Sequence, residues 1–101
     1  MDPDRESLRA AVKASLTRLQ EIAPGRSVEV RIPPFAAVQV VEGSTHRRGT
    51  PPAIVETDPE TWLALVGGSL TWSEAKASGR LRASGERSDL SGYLPFEGTG
   101  R

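Results

Sequence analysis

At Pro24-Gly25 the apolar periodicity of this chain changes, and that change limits the folds open to it. Before the break, Leu8, Val12, Leu16, Leu19 and Ile22 recur at helical spacing, with Ala11 and Ala23 beside them. After it, Val28, Val30 and Ile32 alternate with Glu29 and Arg31. Side chains of a strand point alternately to opposite faces, so this strand has one apolar and one charged face. A helix followed by half-wet strands predicts a sheet covered on one side only, as antiparallel sheets often are.

The remaining breakers divide the chain further. Pro33-Pro34 forces a turn, and Phe35 to Glu42 reads as a second strand in which Gln39 opposes Val38 and Val40. Gly43 to Pro52 is polar and reads as a loop with room for a degenerate short strand. Ala53 to Thr57 is a brief third strand. Asp58-Pro59-Glu60 starts a short helix with Trp62, Leu65 and Val66 on its buried stripe, and Gly67-Gly68 stops it. Thr71-Trp72-Ser73-Glu74 fits a capping box for a further helix, which ends at Gly79. Arg80 to Ser84 is a last strand, expected to lie parallel to its neighbour because two helices precede it. A final helical turn starts at Ser88 or Asp89 and runs through Leu90 and Leu94 to Pro95. Asp2 is placed to cap the first helix.

This order predicts an α+β, two-layer domain with a mainly antiparallel four- or five-stranded sheet and helices on one face. Residues 1–101 are expected to form one domain, with 96–101 a flexible tail. The 22 Leu, Ile, Val and Phe side chains suffice for one modest core and leave little to line a large cavity.

Several functions are disfavoured. Thirteen basic residues balance thirteen acidic ones, without the basic excess usual in nucleic-acid-binding domains. The chain has no cysteine, so disulfide, thiolate and zinc–cysteine chemistry are closed to it. Met1 to Glu6 is acidic and lacks the apolar core of a secretory leader, and no apolar run approaches the length of a membrane span. The expected location is the cytoplasm. His46 is the single histidine and sits beside Arg47-Arg48 in the polar loop, with no triad spacing around it. Glu86-Arg87-Ser88-Asp89 reads as helix capping with a local ion pair. Gly67-Gly68 is not followed by the Lys-Ser or Lys-Thr of a phosphate loop. No cofactor motif is present, and the expectation is a non-enzyme.

From residue 57 to residue 85 the sequence resembles the sterol carrier protein type 2 family. The resemblance rests on Asp58-Pro-Glu-Thr-Trp-Leu-Ala-Leu-Val-Gly-Gly-Ser-Leu70, then Trp72-Ser-Glu-Ala75, then Gly79-Arg-Leu-Arg-Ala-Ser-Gly85. It extends to the Pro-Pro turn and to Gly85-Glu-Arg-Ser-Asp-Leu-Ser91, as in small stand-alone bacterial relatives. The resemblance implies a non-catalytic carrier that holds an apolar ligand, fatty acyl or sterol-like, between helices and sheet. Its expected wall is Trp62, Leu65, Val66, Leu70, Trp72, Leu81, Tyr93 and Leu94. The alternative is a protein-interaction module that kept the fold and filled the cavity. The chain departs from larger members in a shorter strand region over 27–57, where one strand is expected to be reduced or missing. Its closing helix is cut to about Ser88–Leu94, and its C-terminus lacks the peroxisomal address. An open sheet edge, with Glu29, Arg31 and Arg82 on the wet face, is compatible with a monomer or a weak homodimer.

Overall fold

The computed structural model describes residues 3–43, 53–85 and 87–96. Helix α1 (Pro3–Ile22) is followed by strands β1 (Val28–Ile32), β2 (Ala36–Val40) and β3 (Ala53–Thr57). Helices α2 (Pro59–Gly67) and α3 (Trp72–Ala77) then lead to strand β4 (Leu81–Ser84) and a 3-10 turn at Ser91–Tyr93. The four strands form one open sheet in the order β2-β1-β3-β4. This is the expected α+β class with four strands among the described residues.

The alternation of β1 defines the two layers. Val28, Val30 and Ile32 are wholly buried beneath the helices, while Glu29 is half-buried and Arg31 exposed on the other face. Val12, Leu16 and Leu19 of α1 are buried with them in one core that also takes in Val40, Val55, Trp62, Leu65 and Leu90. Burial of this kind contributes about 25 cal/mol per Å² of apolar surface, which is what holds the layers together.

Sheet direction differs from expectation at the last strand. β4 pairs antiparallel with β3, from Ile54↔Ser84 to Thr57↔Leu81, and the one parallel pair is β1 with β3. The reason lies in the connection. α2 and α3 have nine and six residues, and the turn between them returns the chain to the end of the sheet it left. The Thr57 hydroxyl donates to the Arg80 carbonyl at 2.7 Å, closing that end. The parallel pair instead follows from β2 running back to the start of β1, where Val28 sits between Val40 and Ala53.

β2 stops two residues earlier than its apolar pattern suggests. Val41 has φ 67°, a left-handed conformation rare for a β-branched residue. It is held there because its N–H donates to the Ala23 carbonyl while its own carbonyl accepts from both the N–H and the hydroxyl of Ser27. A Cβ at Gly25 would lie 2.2 Å from the Val41 carbonyl carbon, so this corner requires glycine. The expected final helix is also shorter than the pattern implies. Only the 3-10 turn forms, with the Asp89 carboxylate accepting from the Ser91 N–H at 2.9 Å. The expected cap Asp2, the loop with His46 and Arg47-Arg48, Glu86 and residues 97–101 of the expected 96–101 tail lie outside the described residues, while Phe96 packs against the core.

Candidate functional site

The eight residues expected to form a wall come from four parts of the chain, and the fold gathers them against one core. α2 starts cleanly because the Asp58 carboxylate caps it, accepting from the N–H and the hydroxyl of Thr61. Burial would raise the Asp58 pKa, but the hydrogen bonds from Thr61 and the neighbouring backbone outweigh it, leaving the carboxyl below its ordinary value. Gly68, with φ 91°, ends the helix by donating to the Ala64 carbonyl. Between these caps, Trp62, Leu65 and Val66 face inward and are almost wholly buried.

Trp62 is the centre of the arrangement. Its indole N–H donates to the Ser15 hydroxyl oxygen at 2.8 Å, and that hydroxyl donates to the Val12 carbonyl at 2.7 Å. Ser15 is itself fully buried, and this two-step chain leaves neither its hydroxyl nor the Trp62 indole N–H without a partner. Serine in the apolar stripe of α1 gave no sign of this role in the sequence, because its partner is 47 residues away.

α3 is set by the capping box expected from Thr71 and Glu74. The Thr71 hydroxyl accepts from the Glu74 N–H, and the Glu74 carboxylate accepts from the Thr71 N–H. That backbone hydrogen bond, followed by the Thr71 side chain, lowers the Glu74 pKa. Trp72 and Ala75 point into the core, and Leu81 joins them from β4.

The remaining three behave differently. Leu70, Tyr93 and Leu94 are half-buried and pack on the outside of the core. The Leu70 N–H donates to the Ala64 carbonyl and the Phe96 N–H to the Val66 carbonyl, so both segments converge on the C-terminal end of α2. Phe96 is half-buried there too, and it was missing from the expected wall. An aromatic after Leu94-Pro95 is its only sequence signal. The eight expected wall residues therefore divide into a buried group (Trp62, Leu65, Val66, Trp72, Leu81) and a half-buried one (Leu70, Tyr93, Leu94).

Two surface hollows lie elsewhere, and neither takes in any of the eight residues. One, of about 500 Å³, is lined by polar groups of Gln20, Arg26, Glu29 and Gln39, with Gly25, Ala37 and Val38. The other, of about 230 Å³, lies beside the α2 cap between Asp58, Glu60, Thr61, Ala64 and Arg80. Among the described residues no group of three or more His, Asp or Glu side chains is placed to hold a metal ion. Asp89 serves the turn before Tyr93. The Ser91 side chain and then its N–H hold the Asp89 carboxyl below its ordinary value, with burial opposing and Lys76 assisting. No helix among the described residues is long and apolar enough to cross a membrane.

No curated protein matches the chain. A family model described as bacterial SCP ortholog matches residues 4–96, which spans every element from α1 to the closing turn. That match covers nearly the whole chain and the helix–sheet–helix–strand order described above, and the chain belongs to this family of bacterial sterol carrier protein orthologues.

Proposed function

We propose that this domain is a non-catalytic cytoplasmic binding module that takes an apolar ligand, fatty acyl or sterol-like, at the seam between its helices and its sheet. The observation that carries the reading is the graded burial of the wall. Leu70, Tyr93 and Leu94, with Phe96, keep part of their apolar surface open against the core, and Leu70 and Phe96 are tied to the C-terminal end of α2 through the Ala64 and Val66 carbonyls. A ligand enters at this rim by lifting the closing segment, whose 3-10 turn has no side-chain cap hydrogen bond. Family membership supports the same reading.

A second reading, a protein-interaction module with a filled interior, is favoured by one specific observation. Trp62 occupies the middle of the seam and is pinned by its hydrogen bond to Ser15. A ligand reaching that depth must displace well-packed side chains.

Titration with a fluorescent fatty acid, read beside thermal melts, separates the two. The carrier reading expects saturable binding that shifts tryptophan emission and that Leu70→Asp abolishes without unfolding the domain. Val66→Trp should overpack the buried part and cost about 1–3 kcal/mol in either case. Absence of saturable binding by the parent protein removes the carrier reading and leaves the interaction module.

A further inference from the structure

The sheet face turned away from the helices carries its own pattern. The strand register sets two rows across it, Gln39–Glu29–Ile54–Ser84 and Ala37–Arg31–Glu56–Arg82. Charges alternate along the second row, yet they are not spent on one another. Arg31 turns to Glu29 on its own strand, at 3.3 Å, and among the described residues Glu56 and Arg82 take part in no ion pair. Glu56 thus stands between two arginines of neighbouring strands without binding either.

We propose that this face associates with the same face of a second copy of the chain, around a two-fold axis parallel to the strands and midway between β1 and β3. Such an axis brings Arg31 opposite Glu56 of the second copy, and Glu56 opposite its Arg31, giving two equivalent ion pairs. It also sets the long Arg82 and Gln39 side chains opposite the small Ala37 and Ser84. Packed sheets lie about 10 Å apart, a gap that an arginine and a glutamate span together. The face is small, a few hundred Å² per copy from four strands spaced about 4.8 Å, against about 800 Å² in a stable complex. The dimer is therefore weak, and its pairing is electrostatic.

Sedimentation across a concentration series tests it. The parent should move from monomer toward dimer as concentration rises at low salt, and revert at about 0.5 M salt, where screening reaches within a few Å. Arg31→Glu and Glu56→Arg should each weaken association at least tenfold, because like charges then face each other. An equimolar mixture of the two variants should associate again, since both facing pairs become unlike. Circular dichroism establishes that each variant is folded. If Arg31→Glu does not fold, Glu56→Gln serves instead and should still weaken the dimer. A parent that stays monomeric throughout overturns the proposal. So do single variants that associate like the parent, or a mixture that does not recover. The outcome is independent of ligand binding at the helical seam, which lies on the other side of the sheet.

Discussion

Trp62 and Trp72 lie ten residues apart in the same resemblance-bearing segment, yet they hold different positions in the seam. Trp62 is completely buried and its indole N–H is bound by Ser15. Trp72 keeps 9% of its surface and follows the half-buried Leu70 by two residues. The inner part of the seam is a packed interior whose polar atoms are all satisfied. The outer part is held by short elements: the six residues of α3, closed by its capping box, and one 3-10 turn that has no side-chain cap. What differs is the kind of restraint. Inner residues are held by neighbours on every side, and outer ones by local hydrogen bonds, the capping box of α3 and the Ser91 N–H to Asp89 contact before the closing turn.

That contrast can be broken most forcefully at Trp62. Trp62→Ala should cost about 3–5 kcal/mol in chemical denaturation, since the cavity left at the centre cannot collapse and Ser15 loses a donor. A loss below about 1 kcal/mol would mean that the inner seam is already loose, and the contrast would disappear. At the rim, Leu70→Ala should cost about 1 kcal/mol, because only part of its side chain leaves water on folding.

A smaller effect sharpens the comparison. Thr71→Ala removes one arm of the capping box and should cost somewhat less than 1 kcal/mol, at the lower end for such caps. Its selectivity matters more than its size. Trp72 emission should move toward that of exposed tryptophan while Trp62 stays unchanged, which Trp62→Phe and Trp72→Phe backgrounds resolve. An equal response from both tryptophans would show that α2 and α3 loosen as one unit.

The smallest effect is with acid. Asp58, Glu74 and Asp89 all have carboxyl pKa values lowered by hydrogen bonds that exist only in the fold. The folded chain then binds fewer protons than the unfolded one between the depressed and ordinary carboxyl values. Their contribution is present above the ordinary values and is lost as pH falls through the depressed ones. Because Glu74 belongs to the α3 capping box and Asp89 holds the Ser91 N–H before the closing turn, the rim should loosen first. Trp72 emission is expected to change at a higher pH than the global unfolding signal.

Much of the fold was readable before any coordinates, for a local reason. The period change at Pro24-Gly25, the Asp58 cap, the Thr71–Glu74 box and the Gly68 stop depend on residues within a turn of each other. The wet and dry faces of β1 were legible for the same reason, since alternation is a property of one strand. The candidate wall came from the resemblance, and its division into buried part and rim could not be read from it. Leu65 lies inside the α2 stripe and Leu70 beyond its glycine stop, but only the packed fold shows the first almost wholly buried and the second half-buried.

By itself, then, the sequence determined the three helices and four strands of the described residues, where α2 and α3 are capped and which face of the sheet is dry. The tertiary structure decided the antiparallel direction of β4, the left-handed turn at Val41, the contact between Ser15 and Trp62 and the position of Phe96 at the end of α2. The physical reason is range. Periodicity and capping are satisfied by neighbours a few residues apart, whereas strand direction and buried polar pairing join groups as much as 47 residues apart, fixed only when the layers close.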